Sequence, residues 1–342
     1  MTKKLGPIVA MTVALVACGG GGSGATPPSG PPAGTTPAPT PTPTTSASYL
    51  NSQATISRYM GTVDPTVTNA EGCQMAQGVG DQAASGLVVL DYGEPYTDGV
   101  SLGTSDYGVG NPFVTDAQIQ AAAQGYLDGY ARCNEPAANH LILAIGTSNF
   151  GSHVTAAHAV AWAQMIAQLD AYVASKAYPN ETVAAANDME TGWGSPTVTR
   201  AWLDAYVAQT NTIPIYDYGD AGGCSQTSYS ATAICGSVGW TQADVGYVGG
   251  GAGPNVRALP EIYNTSGATA KQWSQIAVGM ATAGTPLTFA AVMTQVGSCG
   301  SGCAGLDNTP AQALSLLNGQ LALYPQTQST VVTMSTDVTT AN

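Results

Sequence analysis

From about residue 86 onward, short apolar runs alternate with longer stretches whose apolar residues recur at helical spacing. Gly86–Asp91, Leu141–Ile145, Thr182–Asp188 and Ile213–Asp217 each read as a buried strand. Val245–Val248, Leu259–Tyr263, Pro286–Gln295 and Val331–Asp337 extend the series to eight. Between them, Asp116–Arg132 carries Ile119, Ala122, Ala123, Tyr126, Leu127 and Tyr130 on one helical face, behind Thr115 as N-cap. His153–Lys176 does the same with Trp162, Met165, Ile166, Leu169, Tyr172 and Val173. Ser195-Pro196 opens a third helix as N-cap and N1, and further helices are expected over Thr269–Ala283 and Thr309–Leu323. Repeated strand–helix order implies a parallel sheet, and eight such units predict an α/β fold of the (β/α)8 TIM-barrel type. The barrel is expected to be irregular between the fifth and sixth strands, where no helical pattern stands. An open doubly wound sheet is the alternative, but no Gly-x-Gly-x-x-Gly turn joins a strand to a helix. Gly249–Gly253 runs into Pro254 and reads as a loop.

The first 48 residues have a different character. Met1-Thr-Lys-Lys is a basic start, Gly6–Ala17 is an apolar segment too short to span a bilayer, and Leu15-Val-Ala-Cys18 follows. This segment resembles the lipobox of bacterial lipoproteins, which implies removal of residues 1–17 and acylation of Cys18. An ordinary secretory signal is the other reading. Either way the chain is expected to be exported, and with Cys18 acylated it would be held at the bacterial cell envelope. Residues 19–48 contain only Gly, Ser, Thr, Pro and Ala, a linker composition, so the globular domain is placed at 49–342. That domain has six cysteines, an even number that suits an exported chain with disulfides. The pairing expected is Cys224–Cys235 and Cys299–Cys303 as local bridges, leaving Cys73–Cys133. A cysteine metal site is the rival reading, disfavoured because Cys299 and Cys303 have no second close pair with them.

Composition narrows the partners. Only 8% of residues are charged, and the net charge is -13. Two of the eight basic residues, Lys3 and Lys4, lie in the leader. A basic stripe for nucleic acid is missing, as is the positive charge needed to dock on anionic lipid. A neutral glycan is compatible with such a surface. No cofactor and no metal are expected, and the domain is expected to act as a monomer.

In a parallel barrel the working groups stand at the C-terminal ends of the strands. Those ends read Asp91-Tyr92-Gly-Glu94, Thr147-Ser-Asn149, Asp188-Met-Glu190, Tyr216-Asp217-Tyr-Gly-Asp220, Tyr263-Asn264, Thr294-Gln295 and Asp337. Carboxylates that merely cap the following helices would suit one acid per loop, whereas here acids come in pairs with Tyr and Trp between them. Asp188 and Glu190, two apart on a strand, share a face at about 6–7 Å, a spacing suited to carboxylate acid/base chemistry on a glycosidic bond. Trp193 and the tyrosines offer flat apolar faces for sugar rings. Glu190 paired with Arg200 would instead be structural. A serine triad through His153 lacks the Gly-x-Ser-x-Gly elbow, and His153 and His158 are five apart rather than the four of a zinc helix. Tyr216–Asp220 lacks EF-hand spacing for Ca²⁺.

The export signal, linker and irregular barrel, with Asp91 after its first strand and Asp188-Met-Glu190 after a middle one, resemble the lysozymes of glycoside-hydrolase family 25 and their secreted barrel relatives. The resemblance spans roughly residues 86–337 and departs after the first strand, where Asp91-Tyr-Gly-Glu94 stands in place of the family's usual Asp-x-Ser/His segment. It implies Glu190 as proton donor, Asp188 as its helper and Asp91 as the third acid of the catalytic group. Tyr92, Glu94, Asn149, Trp193, Tyr216, Asp217, Tyr263 and Gln295 would bind substrate. The expected function is hydrolysis of peptidoglycan or another extracellular polysaccharide. A barrel that binds glycan or an envelope partner without turnover is the alternative.

Overall fold

The computed structural model describes residues 54–135, 138–209, 212–299 and 303–340. The leader, the linker and Cys18 lie outside them. Eight parallel strands make one curled sheet: β1 (Thr55–Tyr59), β2 (Gly86–Asp91), β3 (Leu141–Ser148), β4 (Glu181–Asp188), β5 (Ile215–Asp217), β6 (Val256–Ala258), β7 (Val292–Thr294) and β8 (Ser335–Thr340). Their spatial order is β6-β5-β4-β3-β2-β1-β8-β7, so strands adjacent in sequence lie side by side. The two edges approach through parallel bridges, Ala258 to Phe289 and Glu261 to Met293. The fold is α/β and TIM-barrel-like, as the strand–helix alternation predicts.

The helices are α1 (Pro65–Ala76), α2 (Asp116–Cys133), α3 (Ala156–Lys176), α4 (Pro196–Gln209), α5 (Gln242–Gly246), α6 (Ala268–Thr282), α7 (Val296–Cys299) and α8 (Pro310–Leu321). Side-chain alternation along the strands separates two cores. Val88 and Leu90, Leu143 and Ile145, and Val183 and Ala185 face the helices, where Trp162, Trp202, Trp240 and Trp273 are fully buried. Leu87, Val89, Ala144, Ala184, Ala186, Tyr216 and Tyr218 form the other core, inside the curl. Alanines supply much of that inner layer, which leaves room for tyrosine rings to enter from the strand ends.

Several expected elements move. The first strand is Thr55–Tyr59, which the hydrophobic pattern misses, and α1 follows it; Asp91 therefore ends the second strand. The inward residues of β1 are hydroxylic: Ser57 Oγ is 2.7 Å from Thr336 Oγ1 of β8 and accepts from Val89 N at 2.8 Å. Val245–Val248 is helical rather than a strand, because Thr241 and Asp244 form a reciprocal capping box that starts α5, and a wide helical turn continues over Tyr247–Gly251. That turn also takes in Gly249–Gly251 of the loop expected at Gly249–Gly253. The sixth strand lies at Val256–Ala258, just before the expected Leu259–Tyr263, which bridges its neighbour only at Glu261; Pro260 there has no N–H to donate. The expected seventh strand shortens to Val292–Thr294, and the eighth shifts to Ser335–Thr340.

The three disulfides are Cys73–Cys133, Cys224–Cys235 and Cys299–Cys303, the expected pairing. The first joins α1 to α2 across 60 residues, the last closes only 4. Loop-closure entropy then makes them unequal. Replacing Cys73 and Cys133 by Ala is expected to lower stability in urea unfolding by about 4 kcal/mol, and the same change at Cys299 and Cys303 by much less. Equal losses would show that chain entropy is not the source.

Candidate active site

Asp91, Glu94, Asp188, Glu190, Asp217, Asp220 and Glu261 gather at the C-terminal ends of the strands. Asp91 ends β2 with its side chain inward and is wholly buried. The chain then turns at Gly93, whose φ of 90° is left-handed and whose added Cβ would stand 2.1 Å from Ser105 O. The turn aims Gly93 N at Asp91 Oδ1, 2.8 Å away. It leads into a small antiparallel sheet, Glu94–Thr97, Leu102–Ser105 and Phe113–Thr115, inserted before α2. The loop within that sheet returns Tyr107 to the mouth, where its hydroxyl donates to Asp91 Oδ2 at 3.0 Å and its ring meets Tyr59 edge-on at 5.0 Å. Tyr218, from the loop after β5, also reaches Asp91 and donates to Thr147 O at 3.1 Å. Gly146 makes that reach possible, since a Cβ there would meet Tyr218 Oη at 2.8 Å.

Asp188 ends β4 and is 3% exposed; Glu190 follows and is half-buried. Glu261 arrives from the segment after β6, with its Oε1 accepting from Tyr263 Oη at 2.7 Å. One carboxylate oxygen from each of Asp188, Glu190 and Glu261 lies within 4.8 Å of the others. Glu190 is held by its backbone. Asn149 Oδ1 accepts from Glu190 N at 3.1 Å, and Asn149 Nδ2 donates to Glu190 O at 3.1 Å and to Thr199 Oγ1 at 3.2 Å. Arg200 pairs with Asp244 at 2.8 Å, so the structural ion pair weighed for Glu190 is not formed. Both ion pairs among the described residues, this one and Arg58–Glu71 at 3.3 Å, lie outside the cluster.

Burial without a compensating cation pushes these acids toward the protonated form. Desolvation, then the charge of Asp220, raises Glu190 to about 8. Desolvation, then Glu261, Glu190 and Asp91, holds Asp188 well above the carboxylate range, and Glu261 is raised for the same reasons. Asp217 rises to about 8, chiefly by burial. Asp91 rises only to about 6, because Gly93, Tyr107 and Tyr218 offset part of its burial. The hydroxyls of Tyr59, Tyr107, Tyr218 and Tyr263 are pushed well up by burial first and by these carboxylates next, so they remain hydrogen-bond donors.

Of the sequence-predicted residues, Asp91, Asp188, Glu190 and Tyr263 come together here. Asp217 is buried beside them, its Oδ1 accepting from Gly219 N at 3.1 Å. Trp193 stands on the rim, edge-on to Phe150 at 5.5 Å, and Phe150 is 51% exposed. Glu94 lies on the rim against Gly151, near His153. Gln295 is half-buried at the start of α7, where its carbonyl accepts from Ser298 and Cys299.

Three expected substrate contacts have other roles. Tyr92 points outward into the helix-facing core, as strand alternation from Asp91 requires. Tyr216 is buried inside the barrel below the mouth. Asn149 is wholly buried and positions Glu190. Asp337, read as a strand end, lies within β8; its carboxylate accepts from Val296 N, Gly297 N and Thr294 Oγ1 and so fixes the start of α7. His158 is also structural: it accepts from Trp202 Nε1 at 3.1 Å, faces Gly103 O at 3.1 Å, and burial lowers it to about 4. Glu261, Tyr59, Tyr107 and Tyr218 are the mouth residues that the sequence pattern does not single out. For Glu261 a signal existed, since it lies two before Tyr263 in an apolar run and so shares its face.

Asn149→Ala would remove both backbone contacts to Glu190. It is expected to cost about 1–3 kcal/mol in stability. It should also lower kcat for any reaction using Glu190 by ten- to a hundredfold, with KM little changed. Equal kcat in the variant would remove Asn149 as a positioning residue.

Fold and site together define an α/β, TIM-barrel-like protein with an acidic, tyrosine-lined mouth. No protein-family model matches the sequence, and no curated protein matches it. Among solved structures, the apo homocysteine methyltransferase of Escherichia coli is similar at 11% identity, over 84% of this chain and 91% of that one, with a TM-score of 0.41.

Proposed function

We propose that this protein is an exported, lipid-anchored glycoside hydrolase acting on peptidoglycan or another extracellular polysaccharide. The observation that carries the reading is Glu190: a half-buried carboxyl at a barrel mouth, fixed on both backbone sides by Asn149 and within reach of Asp188. Glu190, raised to about 8, is the general acid. Burial and the charge of Asp220 keep it protonated, Asn149 positions it, and Asp188 beside it is the helper. Asp91, raised only to about 6, ionises before Glu190 and supplies negative charge to the oxocarbenium-like transition state. The Trp193–Phe150 rim gives sugar rings an apolar face beside these groups. The likeness of Asp188-Met-Glu190 to family 25 lysozymes supports Glu190 as the acid, whereas Asp91 ends the second strand and not the first.

The test is release of reducing ends from purified peptidoglycan and from a panel of soluble polysaccharides, by wild type and Glu190→Gln. Release by wild type and its loss in the variant is the expected result. Binding without release by wild type on every glycan would replace hydrolysis with the non-catalytic reading, and neither binding nor release would end both.

A further inference from the structure

The cluster of Asp188, Glu190 and Glu261 has a property that acid catalysis does not use. Three oxygens, one from each side chain, lie within 4.8 Å of one another. Oxygens that share one ion at about 2.4 Å are separated by no more than twice that distance. The second observation is Asp188 Oδ1. It belongs to a side chain 3% exposed, sits at the mouth among like charges, and has no hydrogen-bond partner. A buried carboxylate oxygen without a donor is costly unless something positive meets it. The neighbouring contacts leave the three acids positioned for that. Tyr263 engages Oε1 of Glu261, and Asn149 grips the backbone of Glu190 rather than its carboxyl.

We propose that Asp188, Glu190 and Glu261 bind one hard divalent cation, of the Ca²⁺ or Mg²⁺ class, at the barrel mouth. The donor set is all oxygen, which suits hard cations and not the metals that choose thiolate or imidazole. The six cysteines of the domain are in disulfides and offer no thiolate. The side chains come from two strand ends that the barrel holds together, so the site is built by the fold rather than by one flexible loop. Tyr59 and Tyr263, both at this end of the barrel, provide further oxygens close by. The cation site does not rest on hydrolysis. A cation there occupies the carboxyl that the proposed hydrolase uses as its acid, so the loaded protein and the acid catalyst are alternative states.

The test uses the full chain, freed of metal by chelator and dialysis, with no sugar present. CaCl2, MgCl2 and MnCl2 are titrated separately by calorimetry, and Tm is followed in parallel. One cation per chain with a rise in Tm is expected for at least one of the three. Asp188→Asn and Glu261→Gln, which keep side-chain shape, should each weaken binding at least tenfold. No heat and no Tm shift with any ion up to about 10 mM, beyond the range of weak extracellular sites, would overturn the proposal. So would unchanged affinity in both variants. Either result stands independently of whether the protein releases sugar.

Discussion

Glu190→Gln is expected to reduce sugar release by about 10²–10⁴-fold, the usual contribution of a positioned general acid. The same change should raise Tm at pH 8 by about 5 °C. The two effects share one cause. Glu190 is pushed to about 8 because its charge is poorly solvated and faces Asp220. That holds a proton ready for a leaving group, and it makes the ionised form a burden on the fold. The amide keeps the shape and the backbone clamp from Asn149 while removing the charge. A site selected for turnover at some cost in stability shows this pairing. If the variant loses activity and also unfolds more easily, Glu190 is a structural residue and its role in turnover is indirect.

The second large effect is on stability against pH. A carboxyl whose folded pKa is raised binds its proton more tightly when folded. Its contribution is complete below the unfolded value near 4 and is lost as pH rises through the folded value. Asp91 is raised to about 6, Glu190 and Asp217 to about 8, and Asp188 and Glu261 higher in direction for the same reason of burial among like charges. Glu181, buried at the opposite end of β4, is also raised to about 8. His158 acts in the other sense: lowered to about 4 by burial, it favours the fold as pH rises to its unfolded value near 6.5. One ring is outnumbered by six acids. In chelated buffer, Tm is therefore expected to fall by about 10 °C or more between pH 5 and pH 8. Glu261→Gln should flatten that fall. A Tm that is constant or rises over this interval would mean that the mouth acids are ionised and solvated.

The chain shows its architecture wherever apolar burial writes it. Gly86–Asp91, Leu141–Ser148 and Glu181–Asp188 face apolar helices outward and carry aliphatic or alanine residues inward, so they stand out as apolar runs. The cap residues Thr115, Pro196 and Pro310 mark three helices for local reasons that tertiary structure does not override. β1 does not stand out, because its inner face is Thr55 and Ser57, satisfied by hydroxyl contacts with β8 and β2 that only the fold brings together. Val245–Val248 misleads because its two valines and Tyr247 suit a strand, whereas the capping box of Thr241 and Asp244 just before them starts a helix.

The site divides in the same way. Asp91, Asp188 and Glu190 lie at the ends of clear strands and are legible by position. Tyr92 is misread because alternation along the strand turns it outward, and Tyr216 because it faces inward but lies below the mouth. Tyr107 comes back to Asp91 from a loop of the inserted sheet, and Asn149 reaches Glu190 from the end of a neighbouring strand. Such contacts have no signature in either local sequence.

The pH dependence of kcat/KM for sugar release, in buffer stripped of divalent cations, tests the central claim most directly. Catalysis by protonated Glu190 with ionised Asp91 gives a bell, its acidic flank near the Asp91 value of about 6 and its basic flank near the Glu190 value of about 8. A profile that stays flat from pH 5 to 9, or a bell that survives unchanged in Glu190→Gln, would contradict it.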